Sequence, residues 1–99
     1  MEQTGPPQSK IDSIISLYSK GEFEHALEDV SELIRNFPKN SLLYNINGAC
    51  QQGLDNLDSA VKNFKKAIEI NSDNSKAHYN LAGAFFELGK LDESIKSYE

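Results

Sequence analysis

The chain repeats itself every 34 residues. Ala26, Ala60 and Ser94, all small, stand at that interval, as do Val30, Phe64 and Tyr98, and Phe23, Leu57 and Leu91. A fixed period of this size marks a helical repeat array, in which each unit is a pair of helices that cannot bury its apolar face alone. The clearest copy is Tyr79–Glu99, which reads as a helix, a tight turn at Gly89-Lys90 and the start of a second helix packed back on the first.

Apolar spacing predicts six helices. Residues 1–7, with Gly5-Pro6-Pro7, form a polar tail that is extended or disordered, because proline fixes φ and lacks an amide proton. Ile11, Ile14, Ile15, Leu17 and Tyr18 share a broad face of a first helix that Gly21 ends. A second helix runs from about Glu24 to Asn36 and is stopped by Pro38. A third follows the N-cap at Asn40-Ser41 and covers about Leu42 to Gly53; a fourth covers about Asp58 to Ile70 after a turn at Leu54-Asp55-Asn56. A fifth spans Ser75 or Lys76 to Leu88, and a sixth starts at Asp92. The connections are short, so consecutive helices are expected to be antiparallel neighbours. Stacking is what offsets the ordering entropy of about 1–2 kcal/mol per residue.

Composition narrows the function. The chain has 99 residues, a formal net charge of −5, and Lys+Arg 10 against Asp+Glu 15. That balance argues against nucleic acid and against an anionic membrane surface, both of which need clustered Lys and Arg. Cys50 is the single cysteine, without metal-ligand spacing around it, which fits a reducing compartment. The N-terminus has neither the basic region nor the apolar run of a signal peptide, and no apolar stretch approaches the roughly 18 residues that span a bilayer. The expectation is a cytoplasmic chain, one domain over residues 8–99 with copies at 7–40, 41–74 and 75–99, the last incomplete.

The motif positions resemble those of the tetratricopeptide repeat. The third copy carries Leu81, Ala82, Phe85, Gly89, Leu91, Ser94 and Tyr98 at the matching places; the second carries Tyr44, Gly48, Leu57, Ala60, Phe64 and Ala67. The first carries Leu17, Gly21, Phe23, Ala26, Val30, Leu33 and Pro38. The resemblance covers residues 7–99 and implies an all-α fold, a right-handed α-solenoid of antiparallel helix pairs with about two and a half to three repeats. Small residues at Gly48, Ala60, Ala82 and Ser94 are expected to let the helices of a pair approach, with Phe64 and Tyr98 filling the space between pairs. The sequence departs from the pattern at Asp55, where the turn glycine is replaced, and at Asn47 and Gln51, which stand at apolar places. There Ile46, Cys50 and Leu54 supply an apolar stripe one residue earlier, so the helix is rotated or Asn47 is buried and bonded to backbone.

No catalytic constellation is visible, and no cofactor or metal is expected. His25 reads as solvent-facing, His78 as a packing residue and Cys50 as a small core residue. The run Glu24, Glu28, Asp29 and Glu32 reads as a solvated convex face. The resemblance implies a binding surface instead: the concave groove lined by the first helix of each pair. In this chain that points to Ile11, Ile15 and Tyr18; then Asn45, Ala49 and Gln52; then Lys76, Tyr79, Asn80, Gly83 and Phe86. Asn45, Gln52 and Asn80 would bond the backbone of a peptide or helix, and Tyr79 and Phe86 would give contact area. The carboxylate clamp by which such repeats hold acidic chaperone tails would fall at Ile11, Ile15, Ile46, Lys76 and Asn80, where only Lys76 matches. The expected function is a non-catalytic protein-interaction scaffold. The alternative is an N-terminal substrate-positioning or oligomerisation part of a longer enzyme, such as a glycosyltransferase or sulfotransferase. Leu91, Ile95 and Tyr98 of the incomplete copy are candidates for homo-oligomer contacts.

Overall fold

Turn chemistry sets most helix boundaries. The computed structural model describes the backbone of residues 5–96 and side chains of residues 5–90. It contains α1 (Gln8–Ser19), α2 (Phe23–Asn36), α3 (Ser41–Gly53), α4 (Leu57–Ile70) and α5 (Ser75–Lys96). The first two pairs each turn through one residue of positive φ, Gly21 at 80° and Asp55 at 63°, 34 residues apart. Asp is among the few side chains that visit this region, which is how it takes the glycine's place. Asn40 caps α3 by accepting from the Leu43 amide at 3.2 Å, and Asn74, again 34 residues on, caps α5 through the Ala77 amide at 3.0 Å. These caps satisfy amides that have no partner within the helix. At α1 no side chain caps; the Pro7 carbonyl accepts from Lys10 and Ile11 instead.

Each helix packs on the next, and α3 also touches α5, giving an elongated body of 60 × 28 × 19 Å. The core is a series of clusters between neighbours. Ile11, Ile14, Ala26, Val30, Leu33, Leu43, Ile46 and Cys50 form the first; Ala60, Phe64 and Ala84 form the second. Phe64 is fully buried against α3, where a Cβ on Gly48 would lie 2.5 Å from its ring. The expected close approach at Gly48 is therefore made. Gly53 meets the Phe23 ring in the same way, a Cβ there falling 2.8 Å from it.

Four consecutive residues of α3, Asn45 to Gly48, are buried. This helix contacts α2, α4 and α5, so it has little free circumference. Asn47 is buried, but its partner is a side chain: Gln51 donates to its Oδ1 at 3.4 Å, and Gln51 accepts from Asn56 at 3.1 Å. Elsewhere Asn74 donates to the Ser41 hydroxyl at 2.8 Å, and Ser41 donates to the Ala67 carbonyl at 2.8 Å. That chain ties the α4–α5 connection to the start of α3.

The sequence reading fails in the third copy. No turn forms at Gly89-Lys90 and no sixth helix folds back; α5 is a single helix of 22 residues. Leaving the helix at Gly89 would forfeit i→i−4 hydrogen bonds, to be recovered by packing. The stretch Leu91–Glu99 has three large apolar residues for that task, Leu91, Ile95 and Tyr98, whereas α4 has Leu57, Val61, Phe64, Ile68 and Ile70. Continuing the helix costs about 1 kcal/mol for a glycine inside it. Ala82, expected to face a helix, is exposed. His78, expected to pack, is exposed too, its Nε2 lying 2.9 Å from the Ser72 carbonyl.

The Gly48→Ala variant tests the close approach. The added methyl meets a buried ring that has nowhere to move, so overpacking is expected to outweigh the gain in helix propensity. Thermal unfolding followed by circular dichroism should show a net loss of about 1–3 kcal/mol. A stabilised variant would contradict the packing described.

Candidate functional site

The first helices of the three copies, α1, α3 and α5, carry the predicted groove. Of the six large apolar residues left exposed, five stand at groove positions: Ile15, Tyr18, Leu42, Tyr79 and Phe86. Tyr79 is 80% exposed and Phe86 64%. Neither packs away as an ordinary core aromatic would. Tyr18 is steadied by an edge-on contact with Phe23, with ring centroids 5.3 Å apart. The Lys90 ammonium lies 4.7 Å from the Phe86 centroid, a cation–π geometry.

Ile11 is not a groove residue. It is 4% exposed and belongs to the first core cluster, as does Ile46. Its side chain shares the inward stripe of α1 with Ile14, three residues on. The three amides are also differently engaged from the expectation. Asn80 donates to Asn45 Oδ1 at 3.1 Å, joining α5 to α3, and Asn45 is 7% exposed. Two turns further along both helices, Gln52 donates to the Glu87 carboxylate. Between these two links Ala49 and Gly83 stand one repeat period apart. A Cβ on Gly83 would have only Gln52 Nε2 within 4 Å, at 3.9 Å.

The amides thus form cross-links in the floor of the groove, binding one copy to the next. Sequence reasoning assigned them to a ligand. The signal for their pairing was present: Asn45 and Asn80, like Gln52 and Glu87, are 35 residues apart, one period plus one residue. Ser75, Lys76, Tyr79 and Asn80 line a shallow depression at one end of this surface. The side chains of Leu91, Ile95 and Tyr98 lie outside the described residues.

Among the described residues, no three His, Cys, Asp or Glu side chains converge on a possible metal position. His25 is exposed, 3.8 Å from Asp29 one turn along α2. Cys50 is fully buried, and loss of solvation pushes its thiol up to about 11. A thiol that stays protonated is a poor nucleophile. No described helix is long and apolar enough to cross a membrane.

A family model described as "TPR repeat" matches residues 51–89. The second TPR of Spaghetti (RPAP3), solved bound to the HSP90 peptide SRMEEVD, superposes with a TM-score of 0.77 at 26% identity, covering 91% of this chain and 83% of that one. The chain is a tetratricopeptide-repeat array. The STIP1 homolog of Dictyostelium discoideum is 32% identical over 82 residues, which is 83% of this chain and 14% of that protein. The Hsp70/Hsp90 co-chaperone CNS1 of Saccharomyces cerevisiae is 37% identical over 78 residues, 79% of this chain and 18% of its own length. The chain therefore spans less than a fifth of either curated relative. Among the clamp positions of this tetratricopeptide array, Ile11 and Ile46 are in the core, Ile15 is apolar, and Asn80 is bonded to Asn45.

Burial of Cys50 gives a pH prediction. Its folded pKa is raised above the unfolded value, so its contribution to stability is complete below about pH 9 and is lost as pH rises toward 11. A thiol reagent at pH 8 should leave the native protein unmodified and label it fully in denaturant. Rapid labelling of the folded chain would show that Cys50 is accessible.

Proposed function

We propose that the chain is a non-catalytic protein-interaction module that receives a peptide or helix on the concave face of α1, α3 and α5. The observation that carries this reading is the concentration of exposed apolar residues, Ile15, Tyr18, Leu42, Tyr79 and Phe86, at groove positions. Such a surface offers large contact area at little entropic cost when its aromatics have few rotatable bonds. The floor beneath it is cross-linked by Asn45–Asn80 and Gln52–Glu87, so the face is held before a ligand arrives, which lowers the ordering cost of binding. A similar domain bound to an HSP90 peptide supports a peptide-class ligand.

The ligand preference departs from that neighbour's. With isoleucine at three of the five clamp positions, the groove has apolar contacts where an acidic tail needs lysine and asparagine. Leu42 and Tyr79 extend the apolar surface. The expected ligand is a segment with two or more large apolar or aromatic side chains, and Lys76 is available to one carboxylate. The lone buried Cys50 fits a reducing compartment, and the cytoplasm is the compartment we assign.

Peptides selected from a random display library should bind the wild-type chain, measured by calorimetry. Tyr79→Ala and Phe86→Ala are each expected to weaken binding about tenfold, near 1.4 kcal/mol. Gly83→Leu, which fills the space above Gln52, should weaken it at least as much. The peptide SRMEEVD should bind at least tenfold more weakly than the selected apolar ligand. Equal affinity across the three variants would remove the groove as the binding face.

A further inference from the structure

The straight course of α5 leaves one apolar face without a partner. Gly21 and Asp55 turn the chain in the first two copies; Gly89, at the same place in the third, stays helical. In the second copy Gly48 is filled by Phe64 from the helix that folds back, and in the first Ile14 is 1% exposed. Their counterpart Ala82 is exposed, and Phe85, on the same face, is 48% exposed. Phe85 is the one exposed large apolar residue that lies off the groove. The Lys65 ammonium rests 5.5 Å from its ring centroid, a partial cover that a polar chain end supplies.

The repeat interval identifies what should lie there. Leu57, Val61 and Phe64 recur as Leu91, Ile95 and Tyr98. A straight helix carries those residues away from their own Ala82. Ile95 is thirteen residues further along, about 20 Å at the helical rise, so only another molecule's α5 can bring them back.

We propose that two copies of this chain pair through antiparallel α5 helices, the C-terminal half of each covering the Ala82–Phe85 face of the other. This is an exchange of helices: contacts of a closed hairpin are made between molecules instead of within one. The second copy fixes the register. Gly48 and Phe64 are centred on Asn56, and one period later the centre is Lys90, so the two-fold axis passes beside Gly89. A Cβ on Gly89 would meet nothing within 4 Å, and the missing side chain lets two helix backbones approach at the crossing. Lys90 leans onto its own Phe86, at 4.7 Å, which draws its ammonium off the axis.

The energetics favour exchange over closure. Closing the hairpin breaks α5 at Gly89 for the sake of three large apolar side chains. Pairing keeps every helical hydrogen bond and makes those contacts twice, once at each end. Because both copies use the same surface, the contact is self-complementary and closes at two. The groove of α1, α3 and α5 is not used, so this pairing is independent of ligand binding there.

Sedimentation of the 99-residue chain from about 1 to 500 µM should show a monomer–dimer equilibrium with no larger species. The Phe85→Cys/Ile95→Cys double variant, oxidised, should run as a covalent dimer on a non-reducing gel. An intramolecular disulfide, leaving a monomer band, would overturn the exchange. Phe85→Glu and Ile95→Glu act on opposite halves of the same contact; each should give a monomer with wild-type helical content. If Phe85→Glu alone loses helix, Ile95→Glu decides. Gly89→Ala, which disfavours a turn at that position, should pair at least as tightly as wild type. A wild-type monomer at 500 µM, or a folded glutamate variant that still dimerises, would refute the proposal.

Discussion

Phe64 seated in the notch at Gly48 is the contact on which the array depends. It sets how closely α3 and α4 approach, and that spacing positions α5, whose Ala84 closes the same cluster. Burying one such ring is worth roughly 1.5–3 kcal/mol, yet its larger consequence is geometric. A helical pair with a bulkier residue at 48 would splay, and the floor of the groove would open with it. The first cluster, from Ile11 to Cys50, reaches the same helix from the other side. Thus α3 is the shared wall of both clusters, and this explains why even its amides at 45 and 47 are buried.

Burying polar groups in that wall requires partners, and the chain provides them at repeat intervals. Asn40 and Asn74 cap successive helices; Asn74 then reaches Ser41, which reaches Ala67. Asn47, Gln51 and Asn56 link the end of α3 to its turn. No buried side-chain nitrogen or oxygen among the described residues lacks a hydrogen bond. Amide-rich positions in a repeat are therefore fasteners between copies as well as candidates for a ligand. That double use is where residue-by-residue reading is weakest. Asn45 and Asn80 are legible as polar groove positions, but their mutual bond depends on the offset between α3 and α5.

The same offset separates what can be bound from what is held. At groove positions, exposed apolar residues such as Tyr79 and Phe86 have no internal partner, while Ile11, on the same helix as the exposed Ile15, is inside the core. A four-residue step along α1 keeps two residues near one face, but α2 packs on only part of that face. The width of the covered strip is a property of the packed pair.

The sequence by itself determined the helical period, the positions of the caps, the turns at Gly21 and Asp55, and the small-against-aromatic pairing of Gly48 with Phe64. These are local or strictly periodic signals, and each follows from the conformational limits or size of a single residue type. Only the tertiary structure decided the pairing of the groove amides, the burial of Ile11 and the course of α5 past Gly89. The last is the most instructive. Glycine permits a turn without compelling one, and whether a helix breaks there depends on what the next segment can bury. In the first two copies a full apolar helix follows the turn position. In the third the periodic signal is intact, but Leu91–Glu99 carries less to bury, and the helical hydrogen bonds prevail.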